Sequence, residues 1–253
     1  SPHNLVKGLW QLSRLHTFEG LSTASIGCID ICDKDFDAQV ARTRKRPLPS
    51  GMVTMNEALV AFFGGLVITV AVTFVLLGER VTWAMGPPWV LSFIYPLCKR
   101  VIWAPQVVLG LTMASCVLPP WVALGNDYNN NRDNIALPTS LFGAIFSWLV
   151  YLDLIYASQD RPDDEKAGVK SLVVFLGKNL KLGLAALGVA QIAFFAQAAF
   201  EASASRFLWL FGILPWTISV PWSILSLDPK DRNSGGRIFL FNAVLVLYLT
   251  AVA

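Results

Sequence analysis

Carboxylates are the residues whose spacing in this chain points to chemistry. Asp30, Asp33, Asp35 and Asp37 fall within the stretch CIDICDKDFDAQVARTRKRPLPSG. On a helix, Asp30, Asp33 and Asp37 share one face, while Asp35 points away. A second set lies in YLDLIYASQDRPDDEKAGVKS, where Asp160 and Asp164 are one helical turn apart and Asp153 stands two turns earlier. Pro162 interrupts this set and leaves the geometry at Asp163 and Asp164 open. Carboxylates on one face repel unless a cation binds between them. Hard oxygen ligands suit Mg2+, which takes one or two carboxylates together with phosphate oxygens and waters. Two such clusters facing each other could hold a diphosphate through bridging Mg2+, and neutralising a diphosphate makes it a better leaving group. Arg42, Arg44, Lys45, Arg46, Lys99, Arg100, Lys166 and Lys170 are the nearby cations. Ordinary juxtamembrane charge accounts for the same residues, and so does a transporter with an intramembrane ion site.

The elements that must position these groups read as membrane helices. The mean hydropathy is +0.54. Charged residues make up 15% of the 253, against roughly 25% in soluble domains. A span needs about 20 mostly apolar residues. Seven stretches qualify: Glu57–Gly78, Trp83–Cys98, Val101–Gly125, Ala136–Ala157, Leu180–Phe200, Phe207–Leu227 and Gly236–Ala253. The second is short and carries Pro87, Pro88 and Pro96, which membranes tolerate where neighbouring helices satisfy the freed backbone groups. The expected architecture is an all-α, multi-spanning transmembrane bundle, a single domain over 1–253. Loops on one side hold 15 of the 20 Lys and Arg residues, and loops on the other hold only Arg80, Arg132 and Arg206. This bias places the basic face, and both acidic clusters, on the cytosolic or matrix side. The net charge of +3 is too small to imply a nucleic-acid partner. Cys28, Cys32, Cys98 and Cys116 form no CxxC and read as small apolar fillers. With only His3 and His16, a histidine-built metal site is not expected. SPHNLVKGLW lacks the apolar region of a signal peptide.

Three ordered segments then resemble one family. DICDKDFDAQVARTRKRPLPSG is similar to the first aspartate-rich motif of the UbiA superfamily of intramembrane prenyltransferases, N-D-x-x-D-x-x-x-D followed by a basic stretch and R-P-L-x-x-G. DLIYASQDRPDDEKAGVKSLVVFLG resembles the second motif. YPLCKRVIWAPQVVLG, between them, looks like the Y-P-x-x-K-R…P-Q…G segment. The pattern is most similar to 4-hydroxybenzoate polyprenyltransferases and to fungal enzymes that prenylate aromatic polyketides for meroterpenoids.

The resemblance implies an Mg2+-dependent reaction. An allylic diphosphate loses its diphosphate, an electron-rich phenolic ring attacks the carbocation, and a proton leaves. By position, Asp33 and Asp37 match the metal-binding carboxylates of the first motif, and Asp160 and Asp164 those of the second. Asp30 fits the first motif as well. Lys99 and Arg100 match the basic pair near the diphosphate, and Arg46 and Lys170 are further contacts. Asp153 could orient the acceptor hydroxyl or accept its proton, and equally could be a plain helix-end charge. A carbocation must be kept from water and is stabilised by aromatic faces. Tyr95, Trp103, Trp148, Tyr151 and Tyr156 are candidates for that role, against packing or an interfacial belt. The implied partners are an isoprenyl diphosphate (farnesyl by expectation), a phenolic or polyketide acceptor, and the lipid bilayer of an endomembrane. The alternatives are 4-hydroxybenzoate prenylation for ubiquinone, in the mitochondrial inner membrane, and a truncated, non-catalytic membrane protein.

Two departures from the family pattern stand out. Ile29 occupies the position of the motif's leading Asn and cannot ligate a metal. The family has nine transmembrane helices, with the first motif at the end of the second. Here LSTASIGCI is all that separates Gly20 from Asp30, about 13 Å as helix against a hydrocarbon core of about 30 Å. Extending it backwards recruits Glu19, His16 and Arg14, each costly in lipid. The first helix and most of the second are therefore expected to be missing, through an internal deletion around residues 20–29, the alternative being a divergent fold with a short re-entrant N-terminus. The seven spans would be the family's third to ninth.

Overall fold

The computed structural model describes residues 31, 32, 34, 38, 44–125, 135–167, 170–228 and 231–252. Every regular element among them is helical. Six stretches are long and apolar enough to cross a membrane: Met55–Ala84, Pro105–Ala123, Ala136–Ala157, Leu172–Glu201, Arg206–Ser226 and Asn233–Val252. The second expected span, Trp83–Cys98, is present as a helix, Gly86–Val101, but its 16 residues make about 24 Å, short of the hydrocarbon thickness. The chain forms two compact units that divide after Leu97.

In the unit up to Leu97, α1 (Met55–Ala84) starts at a capping box. The Thr54 side chain accepts from the Glu57 N–H, and the Glu57 carboxylate accepts from the Thr54 N–H at 2.8 Å. Together they satisfy two donors that a helix start leaves open. The helix kinks at Gly78, whose φ of 83° lies in the left-handed region, where only a residue without Cβ is unstrained. Only Ala58 and Val81 of α1 are buried. Val60, Phe63, Val67, Ile68 and Val75 are all exposed, as befits a helix whose solvent is lipid. α2 (Gly86–Val101) follows, with Pro96 inside it.

In the unit from Cys98, the core is built on α5. α3 (Pro105–Ser115) and α4 (Leu118–Ala123) begin with prolines in the first turn, where the missing N–H costs nothing. α5 (Ala136–Ala157) packs against α3, against α8 (Leu180–Glu201) most extensively, and against α10 (Arg232–Val252). α6 (Arg161–Ala167), α7 (Leu172–Leu176) and a 3-10 turn, Gly177–Asn179, lie between α5 and α8. Arg206–Leu208 and a π-turn, Trp209–Ile213, lead into α9 (Leu214–Ser226). Val150, Tyr151, Leu154 and Ile155 of α5 pack with Leu180 and Leu184 of α8 and with Trp216 and Val220 of α9. Small residues set these approaches. A Cβ on Gly188 would lie 2.7 Å from Val220 Cγ1, and one on Gly143 2.8 Å from the Phe194 ring. Close approach through glycine is the usual means of joining helices where lipid removes the hydrophobic drive.

Candidate functional site

The second acidic cluster sits where α5 ends. Ser158–Asp160 turn the chain, and the Asp164 N–H donates to the Asp160 carbonyl at 2.9 Å. Asp160 therefore stands just before the first residue of α6 and Asp164 one turn along it. Pro162 does not break this geometry. It occupies the first turn of α6, where proline is preorganised for a helix, and this resolves what the sequence left open. Asp160 is exposed and Asp164 half-buried. Asp153 is half-buried on α5, nearly two turns earlier. Gly235 and Gly236 of α10 approach this end of α5 closely, against Ile155, Ser158 and Gln159.

Two ties hold the segment that carries this pair. At one end, Arg161 donates from Nη1 to the Gly177 carbonyl at 2.9 Å and pairs through Nε with Glu165 at 2.7 Å. At the other, Gln106 Oε1 accepts the Leu172 N–H at 3.2 Å, while Ser171 caps α7 by accepting from the Val174 N–H. Lys170 is exposed, and its ammonium lies 5.5 Å from the centre of the Trp103 ring. A cavity of about 250 Å³ opens beside Ser158, Arg161, Pro162, Glu165, Leu180 and Leu227.

Lys99 and Arg100 occupy the last turn of α2. Arg46 opens a compact turn, where the Ser50 N–H donates to its carbonyl and the Val53 N–H to that of Pro47. Leu48 and Val53 are buried there with Ala58 and contact Ile31, so the R-P-L-P-S-G run is a packed turn ahead of α1. Asp30, Asp33 and Asp37 lie outside the described residues, as do Asp35 and Arg42.

The aromatic candidates divide. Tyr151 is fully buried, and its hydroxyl donates to the Val220 carbonyl at 3.1 Å. Trp148 is half-buried and packs against the core, its ring tilted against Trp216 with centroids 6.0 Å apart. Tyr156 is exposed beside Phe239, Trp103 holds Lys170, and Tyr95 is half-buried on α2.

The sequence assigned no role to three residues that matter here. Arg161 and Gln106 fix the acidic segment through backbone partners 16 and 66 residues away, which no periodicity reveals. Gln191 is fully buried on α8, and neither its amide atoms nor the indole nitrogens of Trp148 and Trp216 find a partner among the described residues. A lone amide inside LGVAQIAFF was the available signal.

The donor set fits Mg2+. Two carboxylates one turn apart, one of them exposed, match an ion that takes one or two protein carboxylates and fills its remaining positions from phosphate and water. Among the described residues no group of three or more potential ligands gathers, so an Mg2+ held by this pair would take its remaining ligands from phosphate and water.

A family model described as the UbiA prenyltransferase family matches residues 13–246. The polyprenyl transferase ntnF of Nectria sp is 65% identical over 291 residues, covering 100% of this chain and 93% of its own. The polyprenyl transferase atnF of Arthrinium sp is 59% identical, also over 291 residues, with coverages of 100% and 92%. Each matched stretch exceeds the 253 residues of this chain by 38. Among solved structures, a UbiA homolog from Aeropyrum pernix K1 superposes with a TM-score of 0.73 at 21% identity, covering 99% of this chain and 96% of that one. A UbiA homolog from Archaeoglobus fulgidus, bound to GPP and Mg2+, gives 0.64 at 18% identity, with coverages of 100% and 88%.

Proposed function

Because the chain belongs to the UbiA prenyltransferase family, we propose that it transfers a farnesyl group from its diphosphate to the ring of a phenolic or aromatic polyketide acceptor, in meroterpenoid biosynthesis within an endomembrane. The observation that carries this reading is the Asp160–Asp164 pair, presented one turn apart on a segment tied at both ends, with Lys170 further along the chain before the second tie. Likeness to polyprenyl transferases of Nectria and Arthrinium supports prenyl transfer as the reaction class.

Bound Mg2+ would neutralise the diphosphate and improve it as a leaving group. Asp160 and Asp164 would hold it, and by the sequence motif Asp30, Asp33 and Asp37 would add carboxylates. Lys99, Arg100, Arg46 and Lys170 would take the diphosphate oxygens. The acceptor ring supplies the electron pair for the new carbon–carbon bond, and its displaced proton passes to a base for which Asp153 is the candidate. The packed helices around α5 keep water from the cation.

The test is an assay of membranes carrying the full chain with Mg2+, farnesyl diphosphate and phenolic acids. Prenylated product that vanishes in Asp33→Ala and Asp160→Ala is the expected result, and product that survives both overturns the site. Turnover of 4-hydroxybenzoate alone would move the reading to the ubiquinone pathway and the mitochondrial inner membrane.

One observation favours a second reading, a chain that binds diphosphate without turning it over. The 38 additional positions of the relatives would span about 57 Å as helix, close to two crossings of a core of about 30 Å. This supports an internal loss of two spans near residues 20–29. Such a loss would open the cavity wall and leave the first motif without the rigid helix that positions it. Restoring those positions from the Nectria relative and regaining turnover would support this reading. Equal activity with and without them would overturn it.

A further inference from the structure

We propose that Gln106 is a positioning residue for diphosphate binding, acting with Trp103 to fix the segment that carries Lys170. The inference rests on Lys170 being a diphosphate contact, as set out above.

Gln106 is only 7% exposed, although it stands in the first turn of α3, where a long amide would ordinarily reach solvent. Burying an amide is costly unless it is hydrogen-bonded, and its oxygen takes one specific partner, the Leu172 N–H. Leu172 is the first residue of α7, so this N–H is one of the donors a helix start leaves open. The Val174 donor in the same turn is met locally by Ser171, itself buried. One cap is local and the other comes from α3, and that long-range bond sets where the chain enters α7.

Lys170 lies two residues before this anchor. Its backbone is therefore constrained at Leu172, and its ammonium rests over Trp103, three residues before Gln106. A lysine side chain carries much rotamer entropy. Holding it at both ends lowers the ordering cost that an anion must otherwise meet. Arg161 secures the far side of the same connection through the Gly177 carbonyl. The P-Q pair of the middle segment thus acts at a distance, through the loop that follows the second acidic cluster. Neither Gln106 nor Trp103 has to touch the substrate for this.

The test reads binding in detergent by calorimetry, with inorganic pyrophosphate and Mg2+ as the probe and the full chain as the protein. Gln106→Met keeps the volume and removes the strong acceptor. It should weaken binding about tenfold, the size of one hydrogen bond's worth of organisation. In a Lys170→Met background the same change should add less than twofold, because the two act through one contact. Trp103→Leu should weaken binding by a smaller factor that also disappears without Lys170. Independent, multiplying effects of Gln106→Met and Lys170→Met overturn the inference, as does a Gln106→Met chain that melts earlier yet binds pyrophosphate normally. Asp160→Asn separates the two levels. If it abolishes binding while Gln106→Met leaves it unchanged, only the positioning role fails. If Asp160→Asn leaves binding intact, the site itself is misassigned.

Discussion

Substituting Gly235 by alanine tests whether the close seat of α10 against the end of α5 holds the acidic segment in place. A Cβ there would stand 2.5 Å from the Ile155 carbonyl oxygen, 2.9 Å from Gln159 Cγ and 3.2 Å from Ser158 Oγ. Relaxed carbon–oxygen contacts begin near 3.3 Å, so the helices must part by about 0.8 Å. The nearest atom belongs to backbone inside α5, which cannot rotate away. Overpacking of this kind costs about 1–3 kcal/mol. Alanine also gains up to about 1 kcal/mol of helix propensity over glycine, so the control is Gly65→Ala, which has nothing within 4 Å and takes that gain alone. The two variants should differ by about 1–3 kcal/mol, or about 2–12 °C in melting temperature for a chain of this size. Tryptophan fluorescence during thermal unfolding in detergent measures it. Ser158 and Gln159 lead directly into Asp160, so Gly235→Ala should also lose activity out of proportion to its residual folded fraction. A Gly235→Ala chain that melts with or above Gly65→Ala refutes the reasoning.

Asp160→Asn and Asp164→Asn keep size and hydrogen bonding but lose charge. Each should cut prenyl transfer by about 100-fold or more with an unchanged melting temperature, measured as product formed per folded protein. Gln191→Leu removes a buried amide that has no partner among the described residues, and should raise stability by about 1–3 kcal/mol, read as a higher melting temperature in detergent; a fall would reveal a partner for the amide. Tyr151→Phe deletes the bond to the Val220 carbonyl and should lower stability by about 0.5–1.5 kcal/mol without altering turnover, compared by melting and assay. Arg161→Met, which frees the Gly177 carbonyl, should increase hydrogen exchange across residues 161–177, because local opening follows the loss of such ties.

Much of the fold was legible because lipid imposes one rule, a long apolar run for each crossing. Ala136–Ala157 is matched residue for residue, its long apolar run being closed by the polar Ser158–Asp160 turn. Met55–Ala84 runs past Gly78 because a single left-handed glycine kinks the helix without ending it. Gly86–Val101 falls short of a full span because Pro87 and Pro88 open the helix rather than lie within it. The Asp160–Asp164 pair was visible as a one-turn spacing, whereas the role of Pro162 depended on where α6 begins. Gln106 and Arg161 could not be read as anchors, because their partners are backbone groups set by tertiary packing. Tyr151 was drawn toward chemistry by residue type, whereas its full burial and its bond to the Val220 carbonyl mark it as part of the packed core.

The packed turn before α1 bears on rate. Arg44 and Lys45 are exposed on a stretch pinned by Leu48, Val53 and the Thr54–Glu57 cap. Charges carried on a stiff mount keep a fixed direction and project a steady field into the water outside the membrane. A polyanion arriving from that side is steered before any contact forms. The effect reaches about 10 Å at 0.1 M salt and fades as salt rises. The capture rate of a diphosphate should therefore fall with ionic strength, while the rate of the chemical step once it is seated should not.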